Sequence, residues 1–517
     1  MSERATRRSW GGLTPQRLLV TVLFVAIFAM AVRQPADTDT WWHLKSGQLM
    51  WEMGKILRTD PFSHTVAGVP WIDHGWLVQV FLWPVYRAVG LGGLALLLAA
   101  IVTTSVVLVY RQCSGRPFVA AFIVLLAAVT SSVVWSIRPQ IASLLLAALV
   151  AYLLHRYKES GQVRWLGPLP LLVILWANCH GGFVVAFILM GCYLVGETLN
   201  RVTASFSPAA GREFEGKEKN LRLWPLVLVI LVSLPAVLIN PNGARLFPYA
   251  FQTVRIGPLQ DYIQEWIAPD FHRLQFQPFI WLLLMTVIAM GLSRRRADWA
   301  DLAVVSVFAY MGLLAARNTA LFALVAAPVL CRHLVPVLEE LALVSRLSWL
   351  GMLTHTLPSR ARPRRLVWLN TVLLVGVLIA AGIKVGLELD RMRAPTVWGQ
   401  GLPLGAVEYL RSHNLPGQMF NSYNWGGYLI WNLYPDKPVF VDGRTDLYAL
   451  NSRVLDDYTR VHWVRPGWQQ VLDRYQIGFV ITECTGLLDI MLAGTKEWES
   501  VYRDSLAVIY RRSHGTR

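Results

Sequence analysis

Asp37-Thr38-Asp39-Thr40-Trp41-Trp42-His43-Leu44 follows directly on an apolar run at 18–32. Two carboxylates and a histidine therefore stand where an apolar segment gives way to water, and ionisable groups at that depth are costly unless they are used. Arg4, Arg7, Arg8 and Arg17 flank the start of the run. The positive-inside rule then leaves the N-terminus in the cytoplasm and carries Asp37 out of it. The run also has the form of a signal peptide, with Ala29-Met30-Ala31 as a small-residue site. Because many apolar runs follow, it is expected to remain as a first transmembrane helix, and on either reading the next loop lies outside.

Outward from this stretch the composition is that of a multi-pass membrane protein. The 517 residues are 55% hydrophobic and 15% charged, where a soluble domain is about a quarter charged. The net charge of +16 does not indicate a nucleic-acid partner, since the basic residues gather in short loops between apolar runs. Cys113, Cys179, Cys192, Cys331 and Cys484 show no C-x-x-C or ligand spacing, so neither a zinc site nor a disulfide framework is expected.

After Asp39, the pattern Trp42, Leu44, Leu49, Met53 predicts an amphipathic helix lying along the interface as far as Gly54. Thr59-Asp60-Pro61 breaks it, Gly68-Val69-Pro70 turns the chain, and 76–89 reads as a second surface-lying helix ending at Gly90. Runs at 91–110, 118–135 and 141–154 then cross in, out and in, the last two joined by the short connection Ser136-Ile137-Arg138-Pro139. The stretch 166–195 is too long for one span and is interrupted by Asn178-Cys179-His180-Gly181-Gly182, which predicts two short helices meeting at the outer side. A run at 224–239 leads to a long outer loop, 240–277. Runs at 278–292, 302–316, 320–334 and 366–385 complete the crossings, with Arg317-Asn318 at an outer end.

The expected fold is thus a polytopic α-helical membrane domain of about eleven spans in residues 1–390, with a first outer loop at 34–90. Residues 391–517 have the composition of a soluble extracytoplasmic α/β domain. There 418–423, 438–442 and 478–482 read as strands, 452–464 and 467–475 as helices, and 501–510 as a hairpin about Asp504-Ser505. Neither G-x-G-x-x-G nor a P-loop is present, so nucleotide binding has no support.

An acidic site just after the first span, two surface-lying helices before the second and a soluble domain after the last resemble the GT-C class of membrane glycosyltransferases. That class includes the protein O-mannosyltransferases, the lipid A aminoarabinose transferases and the oligosaccharyltransferase catalytic subunit. The likeness rests on Asp39, the helix to Gly54, Arg58-Thr59-Asp60-Pro61-Phe62 and Gly68-Val69-Pro70-Trp71-Ile72-Asp73-His74-Gly75-Trp76. It is nearest to bacterial members and covers about residues 15–335 in architecture. It implies an enzyme of the bacterial plasma membrane that moves a hexosyl or pentosyl group, with inversion, from a polyprenyl-phosphate donor. The acceptor would be a glycan, lipid or protein on the outer face.

By this resemblance Asp39 is the expected base for the acceptor hydroxyl, with Asp37 second. In many members of the class the acidic pair is adjacent; here it is split by Thr38, which weakens the inference of a possible divalent cation, Mg2+ or Mn2+, and leaves metal dependence open. No metal ligand set is expected. Asp37 and Asp39 equally suit an N-cap. His43, four residues after Asp39, shares its helical face; it could orient Asp39 or share a metal, and it reads equally as an interfacial histidine with no ligand role. Asp60 reads as a turn former, and Asp73-His74 as either a cap or part of the site. Arg138 and Arg317 each lie at the outer end of a span, where an unpaired guanidinium is expensive; one of them is expected to hold the lipid phosphate, or else both snorkel. Asn178 and His180 stand in a helix break, where non-helical backbone usually lines a cavity, and Glu265 falls in the long outer loop. The dense Asn421–Tyr428 and Asp442–Asp446 stretches suit acceptor recognition but read first as turn chemistry. A non-catalytic flippase or assembly partner of envelope polysaccharide is the alternative. An ion-coupled transporter is disfavoured, because the ionisable residues collect at outer ends.

Overall fold

A computed structural model describes residues 13–35, 37–113, 116–206, 221–254, 265–345, 364–394, 399, 401–451 and 453–513. The arginines Arg4, Arg7 and Arg8, the basic stretches 207–220 and 346–363, and 255–264 of the long loop lie outside these residues.

The helical part runs α1 (Pro15–Ala31), α2 (Thr40–Met53), α3 (Trp76–Tyr110), α4 (Pro117–Ser131), α5 (Gln140–Ser160), α6 (Leu169–Cys179), α7 (Val184–Phe206), α8 (Trp224–Ala236), α9 (Leu246–Val254), α10 (Gln277–Leu292), α11 (Trp299–Leu314), α12 (Thr319–Ser345) and α13 (Arg364–Arg391). α1 begins behind Thr14, whose hydroxyl accepts the Arg17 N–H, and opens on Pro15, which has no N–H to leave unsatisfied there. Gly90 divides α3 into two helices meeting at a kink, with φ 64° and ψ −162°, a conformation that only glycine adopts freely. Beyond it Leu91, Leu94, Ala95, Leu98, Ala99 and Val102 are buried at helical spacing. Among the described residues seven helices are long and apolar enough to cross a membrane, joined by four shorter apolar ones at Pro15–Ala31, Val163–Cys179, Trp224–Ala236 and Trp299–Leu314.

α1 packs on α3, α4 and α13, α3 on α5, and α12 on α4, α10 and α11. α13 leaves Leu373, Ile379 and Leu387 facing outward, as suits a helix surrounded by lipid. At the end of the bundle away from Asp39, Lys158 sits between Glu197 (2.8 Å) and Asp298 (2.7 Å), and Arg332 meets Asp301 at 2.6 Å. These largely buried charges are thereby paired.

The C-terminal part runs α14 (Leu404–Ser412), β1 (Gln418–Asn421), α15 (Gly426–Leu433), α16 (Thr445–Asn451), α17 (Val454–His462), α18 (Trp468–Arg474), β2 (Ile477–Glu483), α19 (Leu487–Ala493), β3 (Trp498–Arg503) and β4 (Ala507–Arg512). The sheet order is β1-β2-β4-β3, with β1 parallel to β2 and the other pairs antiparallel. Asp504 makes the hairpin turn by accepting the N–H groups of Leu506 and Ala507.

Three expectations change. Residues 438–442 form no sheet strand: Val439 pairs instead with the loop before α3, exchanging hydrogen bonds of 3.1 Å with Phe62 and His64. α2 is no free surface helix. It lies between α3 and α15, with Trp41, Trp42 and Leu44 buried and Trp41 edge-on to Tyr428 at 5.5 Å. The long loop carries a helix of its own, α9.

The two parts are locked by Arg444. Its side chain is 1% exposed and pairs with Asp60 at 2.5 Å and Asp442 at 2.7 Å. The guanidinium also faces the rings of Phe62 and Trp71 at 5.0 and 4.9 Å. Asp60 makes its expected turn, accepting from Phe62 and Ser63, and holds this cation as well.

Candidate active site

Where the helical and C-terminal parts meet there is a cavity of about 1710 Å³. The segments around it are placed by short backbone ties. Arg33 donates to the carbonyls of Ser132 and Trp135, and the Thr40 hydroxyl to that of Ile137 at 3.0 Å. The connection between α4 and α5 is thereby drawn onto the end of α1, which delivers Arg138 to Asp37 and Asp39. On the other side, Ala316 N–H donates to Ile267 O (2.9 Å) and Arg317 N–H to Glu265 O (3.1 Å), so the loop before α10 is sewn to the start of α12.

The centre is an ionic cluster. Arg138 Nε lies 3.0 Å from Asp37 Oδ2, Nη1 lies 3.4 Å from Asp39 Oδ2, and Nη2 meets Glu265 Oε2. Glu265 Oε1 is 3.5 Å from Arg317 Nη1, and the Arg317 guanidinium stacks 4.5 Å above Trp266. Asp39 stands at the N-cap of α2 but makes no side-chain cap bond. Its Oδ1 accepts from Trp42 Nε1 at 3.1 Å, and its own N–H donates to Asp37 Oδ1 at 3.0 Å. Burial and the neighbouring Asp37 push the Asp39 carboxyl up to about 7, against the pull of Arg138. Burial alone would raise Glu265, yet Arg317 and Arg138 hold it below the ordinary value.

A second polar group lies beside it. Gln79 donates through Nε2 to Asp73 Oδ1 (2.9 Å) and His43 Nδ1 (3.1 Å), so His43 is held by Gln79, not turned toward Asp39. Burial raises Asp73 to about 7 and lowers His43 well below its ordinary value. The rings of His74 and His180 meet edge-on at 5.5 Å, and His74 lies 5.4 Å from Tyr249. His180 Nδ1 accepts from Gly182 N–H at 3.0 Å and lies 2.8 Å from the Ser143 hydroxyl. Burial lowers the pKa of both histidines, which disfavours their charged forms at the cavity wall.

Asp37, Asp39, His43, Asp73, His74, Arg138, His180, Glu265 and Arg317 all line this one cavity, whereas Asn178 does not. Asn178 accepts from Trp76 Nε1 and donates to the carbonyls of Ile174 and Ile239. It closes the helix break from behind. The C-terminal part adds Tyr423, Gly443, Arg444, Thr445, Asp446 and His462 to the lining, and Asp446 accepts from the Tyr249 hydroxyl. Turn-rich composition around Asp442-Gly443 was the available sign of these residues, and it does not distinguish a site from a loop.

Among the described residues no group of three or more His, Cys, Asp or Glu is placed to hold a metal ion. The donor set explains why: each carboxylate near Asp39 already gives an oxygen to Arg138.

No protein-family model matches the chain, and neither does any curated protein sequence. Solved structures do. The Archaeoglobus fulgidus oligosaccharyltransferase superposes in its apo form with a TM-score of 0.51 at 10% identity, over 92% of this chain and 70% of that one. The same enzyme tethered to an acceptor peptide with the NVT sequon gives 0.52 at 11%, over 91% and 69%. ArnT from Cupriavidus metallidurans, bound to undecaprenyl phosphate, gives 0.47 at 13%, over 97% and 98%. The chain has the GT-C fold, with its helical membrane part and C-terminal sheet domain. At these identities the likeness is one of fold, and chemistry must be argued from the site.

Proposed function

We propose that this chain is a membrane glycosyltransferase that moves a sugar from a polyprenyl-phosphate-linked donor to an acceptor hydroxyl on the extracytoplasmic face. The observation that carries the reading is the placing of Asp39 and Arg317 on one cavity, a carboxylate whose pKa lies at about 7 and a stacked guanidinium paired, among the described residues, with one carboxylate, Glu265.

The groups divide the work. The acceptor hydroxyl gives its proton to Asp39 as its oxygen bonds to the anomeric carbon, with inversion there. The bond from that carbon to the phosphate oxygen breaks, and the electron pair leaves with the lipid phosphate. Arg317 meets the added charge through a fork suited to phosphate. Arg138 is engaged by three carboxylates, which leaves Arg317 the better phosphate ligand of the two. Val184, Ile188, Met311 and Leu314 form an apolar wall of the same cavity, suited to the first isoprene units.

Purified protein in liposomes, given a polyprenyl-phosphate sugar, tests the reading directly. Transfer should be lost in Asp39→Asn while donor binding and thermal stability persist. Unchanged transfer in that variant would remove Asp39 from the mechanism.

A further inference from the structure

Asp37 and Asp39 follow α1, Glu265 precedes α10, and the three carboxylates converge on one point. Carboxylate oxygens gathered from separated segments are the shell that proteins build for Mg2+ or Mn2+. Here the point at the centre is the guanidinium of Arg138, which offers a different nitrogen to each carboxylate. Its side chain is 15% exposed, and those of Asp37, Asp39 and Glu265 are 18%, 24% and 28% exposed, so the cluster is partly buried in the cavity wall. Backbone geometry fixes the guanidinium there: Arg138 N–H donates to Ser136 O at 3.0 Å, and Pro139 begins the approach to α5.

We propose that Arg138 is a resident cation standing where a divalent ion would sit, so that the three carboxylates are organised by the chain itself and transfer needs no metal. A guanidinium keeps its charge at every working pH and cannot be stripped by a chelator. It brings one positive charge to three carboxylates where a divalent ion would bring two. Arg317, on the free side of Glu265, supplies the second. The pair of arginines thus matches the charge of one divalent ion but spreads it toward the place where the phosphate leaves. The elevated carboxyl of Asp39 is consistent with this, because Arg138 pulls it down only in part.

The activity arm of the test rests on the transferase reading, but the binding arm does not. The full-length chain in detergent is titrated with Mn2+, and the free-ion electron paramagnetic resonance signal is followed. Wild-type protein should leave the signal unchanged. Arg138→Ala should remove about one Mn2+ per chain, and adding Glu265→Gln to that variant should restore the signal. Stoichiometric binding by the wild type that Asp37→Asn or Glu265→Gln abolishes would overturn the proposal. So would a folded Arg138→Ala protein that gains no site. Should Arg138→Ala not fold, the wild type decides alone: transfer unchanged in EDTA supports the resident cation, and transfer lost in EDTA and restored by Mn2+ overturns it. A chain with no transfer activity but with the gained Mn2+ site would fail the functional reading and keep this one.

Discussion

Gly443 lies directly against the carboxylate of Asp39, so close that a Cβ at position 443 would collide with Oδ1. A residue of the C-terminal part therefore forms the wall behind the proposed base. Gly443→Ala should displace Asp39 without disturbing the fold. Because a shift of about 1 Å at a reacting group can cost about 10²-fold, turnover at saturating donor should fall by that order while circular dichroism stays unchanged. Full activity in this variant would show that Asp39 tolerates movement.

The rate should rise with pH through the Asp39 titration, since the free carboxylate is the active form of a base and its pKa is about 7. Asp37 raises that value and Arg138 lowers it. The acidic limb of kcat/KM should accordingly move to lower pH in Asp37→Asn and to higher pH in Arg138→Ala. Shifts in the same direction, or none, would contradict the assignment.

Arg317→Ala should weaken donor binding by about 10- to 100-fold, the equivalent of roughly 1.5–3 kcal/mol for a charged hydrogen bond. Arg317→Lys should recover only part of this, since an ammonium lacks the fork. Equilibrium binding of the polyprenyl phosphate reads both, and intact affinity in the alanine variant ends the phosphate role.

Arg444→Ala should cost about 3–5 kcal/mol, the usual penalty for stripping one partner from a buried ion pair. Asp60→Ala should behave similarly, and the double variant should lose less than the sum, because both changes break one network. Thermal unfolding with limited proteolysis between α13 and α14 measures this. Additive losses would mean that Arg444 and Asp60 act separately.

The elements legible in the sequence were those with local signals. Gly90 ends the surface portion of α3 because a positive φ is needed there, the Asn178–Gly182 break separates α6 from α7, and Asp504-Ser505 makes its hairpin. The gathering of acidic and basic groups at one end of the bundle followed from topology. Long-range pairing was not legible. Arg444 and Asp60 are 384 positions apart, and nothing local to 438–442 says that its partner is Ser63 and not a neighbouring strand. Arg138 and Arg317 have the same sequence context, a basic residue in a short connection, and only the count of carboxylates around each separates their roles. Asn178 looked like a cavity residue for the reason His180 is one, its place in a helix break, but its side chain points to backbone carbonyls.

Glu265 touches both arginines, one oxygen to each. A phosphate that draws Arg317 away leaves Glu265 wholly to Arg138, and the hold of Arg138 on Asp39 weakens. The donor and a proton on Asp39 then become ligands of one another, and thermodynamic reciprocity requires that each tighten the other. Donor affinity should increase as pH falls through the titration of Asp39, and Glu265→Gln should flatten that dependence. Sugar arrival and base strength would be two readings of a single equilibrium.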